Sequence, residues 1–263
     1  MTRRLAFRSA ALTPWLVPAG LLIVWQGLSM AGLLGSDVLP APSAVLVAAW
    51  RLGRSGELLY HIEVSTGRAF AGLAVGGGLG LALGFLNGLS ALAARLTDTT
   101  LQMLRNVPHL ALIPLVILWF GIDESAKLFL VALGVFFPIY LNTYHGVRTV
   151  DAGLAEMGRA YGLGGWRFFR QVILPGAMPS ILVGLRYALG FMWLTLIVAE
   201  TISSSSGIGY MTMDAREFMQ TDIIVLGIVI YALLGKLADS ATRWLERRWL
   251  AWHPAFQFEE AIA

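Results

Sequence analysis

The chain has 263 residues, 57% of them hydrophobic and only 13% charged, with a net charge of +3. Soluble domains run near a quarter charged, so this composition excludes an ordinary soluble fold and suits a handful of membrane spans of about 20 residues each. The lack of cysteine excludes disulfides and thiolate metal sites, the four histidines (His61, His109, His145, His253) make no ligand spacing, and the basic residues lie beside apolar segments, where they orient a membrane protein rather than bind nucleic acid.

Residues 1–13 carry Arg3, Arg4 and Arg8 and no acid, and read as a cytoplasmic N-terminus. The apolar run 14–34 follows. It is long for a signal peptide and shows no clear cleavage site, so it reads as an uncleaved first span. Residues 35–68 read as a periplasmic segment. There Ser43, after Pro42, is expected to cap an amphipathic helix through Trp50 and Leu52 that lies at the outer surface. Arg51, Arg54 and Arg68 in this segment offend the positive-inside rule.

Residues 69–241 form the expected core. The second span, 69–92, repeats glycine every four residues from Gly72 to Gly88. Such a ridge lies on one helical face and admits a close neighbour, within the chain in preference to a dimer seam. After a short loop at 93–100, the third span at 101–120 contains Pro108 and Pro114, which should bend or break it. Residues 121–125 form a tight outer turn and 126–144 the fourth span. A polar island at 145–178 precedes the fifth span, 179–199. Residues 200–222 read as an outer loop and 223–237 as the sixth span, extending at most to 241. The tail 242–263 carries Arg243, Arg247 and Arg248 and is expected in the cytoplasm with the N-terminus. Six spans then put the arginine-rich island on the same side.

In the island, Gly153 to Tyr161 can form a short helix that Gly162, Gly164 and Gly165 end. Trp166 to Val172 can form a second, which Pro175 should stop. Leu154, Met157 and Tyr161 fall at three- and four-residue spacing, an apolar stripe flanked by Glu156 and Arg159. The residues alone leave two readings even: a docking surface for a partner, or an ordinary cytoplasmic loop covering the bundle.

The spacing of Glu156, Gly162, Val172, Leu174 and Pro175 resembles the EAA signature of ABC importer permeases, in which Glu-Ala-Ala is followed after three residues by Gly and after nine more by Ile-x-Leu-Pro. Met157 and Gly158 stand for the two alanines and Val172 for Ile. The stretch from Leu104 to Lys127 (LRNVPHLALIPLVILWFGIDESAK), Trp193 to Thr201 (WLTLIVAET) and the GIGY turn at 207–210 are similar to the sulfonate, nitrate and taurine branch of that family, and most of all to its aliphatic sulfonate type. The resemblance covers nearly the whole chain. It implies an all-α type I importer domain with about six spans and a cytoplasmic coupling helix. Leu154, Glu156, Met157, Arg159, Tyr161, Gly162, Leu174 and Pro175 would engage the ATPase. A second copy of the permease, two ATPase subunits, a substrate-binding protein and the lipid of the bacterial inner membrane would be its partners. The chain has no Gly-x-x-x-x-Gly-Lys-Ser/Thr loop, so ATP and Mg would be used by the separate ATPase and no cofactor is expected here.

For an anionic substrate, Arg105, His109 and Arg186 are candidates to line the path. The competing readings are an Arg105 that snorkels to the interface, a packed His109 and an ion-paired Arg186. Glu200, Thr201, Asp214 and Glu217 are candidates to meet the binding protein, with a plain solvated acidic loop as the alternative. Asn87 and Asn142 read as helix–helix hydrogen-bonding residues. Taurine, nitrate, bicarbonate and a vitamin precursor remain alternative substrates, because the binding protein usually sets the choice. A solitary secondary transporter would need an inverted repeat with interrupted helices in both halves, and a membrane enzyme would need paired carboxylates or a nucleophile motif. Neither is visible.

Overall fold

The computed structural model describes residues 2–252, with side chains from Leu16 onward apart from Ser203; residues 253–263 of the expected tail, and the side chains of residues 1–15, which include the expected N-terminus 1–13, lie outside the described set. Every regular element among the described residues is helical. The first, α1 (Thr2–Met30), has its apolar stretch at Leu16–Met30. Next comes α2 (Pro42–Ser55), which starts with Pro42 in its first turn, where a missing N–H and a fixed φ cost nothing. Ser43 does not cap it. Its N–H donates to Gln26 Oε1 at 3.0 Å and its hydroxyl accepts from Gln26 Nε2 at 3.1 Å, so it ties α2 to α1 instead. The apolar stripe Val45, Ala48 and Leu52 is buried against α10 (Ile208–Glu217) and α11 (Thr221–Trp249), the last two helices among the described residues.

Among the described residues four helices are long and apolar enough to span a bilayer: α3 (Glu57–Leu89), α6 (Glu124–Arg148), the continuous stretch Gly165–Ile202, and α11. A fifth span is broken. α4 (Ala91–Arg105) and the 3₁₀ turn His109–Leu112 with α5 (Ile113–Phe120) meet at 80°. Pro108 lacks an N–H and disfavours helix at the residue before it, which accounts for the break, whereas Pro114 sits harmlessly in the first turn of α5. The expected loop at 93–100 is helical. Ser90 caps α4 by accepting from the Ala93 N–H at 3.2 Å, and the polar residues of this segment form one face of an amphipathic helix rather than a turn.

The core is α3, α6 and α9 (Leu174–Ser203). The glycine ridge of α3 packs on α6 within the chain. A methyl group at Gly72 would lie 2.5 Å from the Val131 side chain, one at Gly84 2.6 Å from Thr143, and one at Gly76 would overlap the backbone of Ala132. No side chain fits between these helices, so the repeat sets their separation. Asn87, buried at the end of the ridge, donates to Thr97 of α4 at 2.7 Å and to Tyr140 of α6 at 2.9 Å.

Between α6 and α9 lie α7 (Ala152–Ala160), α8 (Gly165–Phe168) and a π-helical turn, Phe169–Ile173. Pro175 does not end a separate helix. It falls in the first turn of α9, and the chain stays helical because the widened turn sends the Leu174 N–H to the Phe169 carbonyl. α8, the π-helical turn and α9 run on without a break, and α7, separated from them by the turn at 161–164, packs back on Phe168 and Val172 through Gly158. α11 also runs past the expected limit near 241, through Trp249.

Candidate functional site

The α7 surface is built by its caps. Asp151 accepts from the Leu154 N–H at 2.8 Å and starts the helix. At the other end the Leu163 N–H reaches the Gly158 carbonyl at 3.0 Å around Gly162, whose φ of +75° a side chain would strain. Gly158 faces inward, where an added methyl would lie 3.0 Å from Val172. That close seat turns the opposite face outward. Leu154 is 49% exposed, Met157 52% and Tyr161 80%. Glu156 and Arg159 are also exposed, and the Arg159 guanidinium lies 5.6 Å over the Phe168 ring. Leu174 is half-buried; Pro175 joins Leu154, Met157 and Tyr161 in lining a groove of about 640 Å³.

A second, larger groove of about 830 Å³ runs along α6 where the broken span turns. Arg105, Asn106 and His109 line it, with Asn142, Tyr187 and a wall of phenylalanines. Arg105 is exposed. His109 is half-buried, its Nε2 3.1 Å from the hydroxyl of Thr195 and its ring against Phe191. Gly134 makes room for this contact, since a methyl there would sit 2.7 Å from Thr195 Oγ1.

Arg186 does not reach that groove. It turns to α11, where it pairs with the buried Glu246 and lies 3.7 Å from Asp239. A guanidinium on the flank of an apolar helix is held by the nearest carboxylates, so the arginine is a tie between α9 and α11.

Near the far end of α9, about 39 Å along the helix from Leu174, Glu200 is not on the surface. Its side chain is 0% exposed. The carboxylate accepts from Ser65 Oγ and Arg68 Nη1 at 2.8 Å each, from the Gly209 N–H at 2.9 Å and from Tyr231 at 3.1 Å. Gly207 lies so close over it, at φ +107°, that a methyl there would overlap the carboxylate. Arg68 also binds Glu124 at 2.6 Å and the Ser206 carbonyl at 2.6 Å, and buried Lys127 binds Glu124 at 3.0 Å. Two cations and two carboxylates thus balance across α3, α6 and α9. Of the other acidic-loop candidates, Asp214 and Glu217 are exposed on α10, whereas the Thr201 hydroxyl is turned back to the Val198 carbonyl at 2.9 Å.

The sequence reading missed this hub. Arg68 was visible as an arginine on the wrong side of the charge rule, and Glu200 as a lone acid ending an apolar string. Two isolated opposite charges in apolar segments should seek each other, and that signal pairs them.

The model of the family described as "Binding-protein-dependent transport system inner membrane component" matches residues 76–251. The chain is 61% identical over 248 residues, 94% of each protein, to the aliphatic sulfonates transport permease protein SsuC of Escherichia coli (strain K12). It is 48% identical over 242 residues, 92% of this chain and 88% of the other, to the protein of the same description from Bacillus subtilis (strain 168). Among solved structures, an amino acid ABC transporter chain has a similar fold, with a TM-score of 0.58 at 18% identity over 77% of this chain and 96% of that one. The helical fold is therefore a known one, and the chain belongs to the binding-protein-dependent transport system inner membrane components, the permease subunits of ABC importers.

Proposed function

We propose that this permease carries aliphatic sulfonates across the bacterial inner membrane, with the α7 end and both termini in the cytoplasm. The observation that carries the role is the exposed Leu154–Met157–Tyr161 stripe of α7, on an elbow set among Arg148, Arg159, Arg167 and Arg170. An apolar stripe in a cationic, water-facing setting is a surface for a protein partner, and arginines favour the cytoplasmic side. The substrate class rests on the 61% identity to the sulfonates permease along nearly the full length of both chains.

Two copies of the chain form the pathway, two ATPase subunits seat on their α7 helices, and a binding protein delivers substrate at the Glu200 end, where Asp214 and Glu217 of α10 face outward. ATP and Mg are consumed in the ATPase. Closure of the ATPase pair draws the two elbows together. Because α7 is seated on Phe168 and Val172 of the unbroken α8, π-helical turn and α9 segment, the pull moves α9 as a body. The α3–α6 contact is too close to slide, so these helices move with it. Substrate crosses along the groove at Arg105, Asn106 and His109. A sulfonate offers three acceptor oxygens and a permanent negative charge, and these side chains offer donors without enclosing it in a tight trap. Arg186 takes no part in the path, being engaged by Glu246.

The test is uptake into proteoliposomes containing the permease, its ATPase and its binding protein, with ATP inside the compartment that the α7 end faces. Labelled ethanesulfonate should accumulate, and unlabelled longer alkanesulfonates should compete better than taurine or nitrate. Accumulation of nitrate or taurine in preference to ethanesulfonate would overturn the substrate assignment.

A further inference from the structure

The groove beside α7 has a second wall that the EAA stretch does not supply. Trp252, just past α11, lines it together with Met157, Tyr161, Val172 and Pro175. Its position is fixed by a chain of contacts. Glu246 of α11 is buried and held by Arg186 of α9. The Glu246 carbonyl accepts from the Leu250 N–H at 2.8 Å, and Leu250, 1% exposed, plugs the end of the helix. The indole N–H of Trp252 then donates to the Trp249 carbonyl at 2.9 Å. The ring is left 51% exposed on the groove. An aromatic ring whose polar atom is satisfied, and whose backbone is tied down on a plugged helix end, presents its apolar face at little entropic cost.

We infer that Trp252 is a contact for the ATPase subunit, the wall of its socket opposite α7, and that the occupant is an apolar side chain flanked by acidic ones. This rests on the reading of α7 as the coupling helix. The groove is continuous with the α7 stripe, and its surrounding elements carry the exposed Arg159, Arg167 and Arg170, so charge complementarity asks for an acidic margin on the partner. A socket walled by both α7 and the end of α11 would pass the ATPase movement to two spans at once, α9 through the π-helical turn and α11 through Trp252.

The chain has no cysteine, so a single introduced thiol reports one site. Met157→Cys and Trp252→Cys would each be made in the full chain, and maleimide labelling followed in inverted membrane vesicles from cells producing the permease with or without its ATPase subunit. The inference expects both thiols to react readily without the ATPase and about tenfold more slowly with it, and Trp252→Ala to weaken ATPase binding about tenfold, with Trp252→Phe restoring most of it. Protection at Met157→Cys alone would overturn the Trp252 contact and leave the α7 reading standing. Protection at neither would remove the α7 reading and the inference with it. A Trp252→Cys thiol that reacts slowly in both preparations would place that wall in lipid or against the chain itself, and would also overturn the inference.

Discussion

Replacing Glu200 by Gln removes one charge and one acceptor from the centre of the ion-pair hub while keeping its volume. One carboxylate oxygen receives Arg68 Nη1 at 2.8 Å, and the other receives the Gly209 N–H at 2.9 Å and Tyr231 at 3.1 Å. An amide nitrogen can stand in for neither oxygen. Turned toward Gly209 and Tyr231, it sets a donor against the Gly209 N–H and forces the Tyr231 hydroxyl to reverse its role; turned toward Arg68, it opposes a cation. Each buried unsatisfied group costs about 1–3 kcal/mol, and breaking a buried pair on one side costs about 3–5 kcal/mol in all. Arg68 keeps Glu124, so the lower half of that range, about 3–4 kcal/mol, is expected. For a chain of this size the melting temperature should fall by on the order of 10 °C. Thermal unfolding of the detergent-purified permease, followed by loss of the monodisperse species, reads this directly. Asp214→Asn and Glu217→Gln, on the exposed face of α10, serve as comparisons and should stay within about 0.5 kcal/mol of the parent. A Glu200→Gln variant that melts with those two would refute the hub as a source of stability.

Gly76→Ala puts a methyl into the Ala132 backbone and should cost about 1–3 kcal/mol or more, while Gly78→Ala, which meets open space, should leave the melting temperature unchanged or slightly raised; equal behaviour of the two would contradict the ridge packing. Leu154→Ser with Met157→Ser removes half-exposed apolar groups, so the fold should melt as before while ATP-driven uptake falls about tenfold or more; full uptake would detach α7 from coupling. Arg105→Gln should lower sulfonate uptake without a stability change, whereas Arg186→Gln, which strands the buried Glu246, should lower the melting temperature by on the order of 10 °C; the opposite assignment of these two effects would reverse the roles given to them.

The fold was legible where the signal is local and repeated. A glycine every fourth residue from Gly72 to Gly88 defines a helix face, and the contacts with Val131, Ala132 and Thr143 explain why nothing larger fits. Pro108 announced the broken span, because a missing N–H is a property of the residue itself. The end of α7 was legible for the same reason, through Gly162, whereas the Asp151 cap that starts it one residue before the expected Gly153 was not singled out. What the sequence hid depends on partners distant in the chain. Ser43 has the chemistry of a cap, but Gln26, 17 residues earlier, captures it. Pro175 is a helix breaker unless the preceding turn widens, and nothing at one position announces a π-helical turn. Glu200 sits where a chain leaves the membrane and so reads as a surface acid. Only the approach of Ser65 and Arg68, more than 130 positions earlier, makes it a buried one. Arg186 was drawn to the substrate path by its charge, and the carboxylate that claims it lies 60 residues further on.

The most direct test of the account is the energy source for uptake. Proteoliposomes holding the permease, its ATPase and its binding protein would be supplied with labelled ethanesulfonate, with and without ATP, and with ionophores that collapse every ion gradient. The account predicts accumulation that requires ATP, survives the ionophores and is lost in the Leu154→Ser, Met157→Ser variant. Accumulation by the permease alone, driven by an ion gradient and indifferent to ATP, would contradict it.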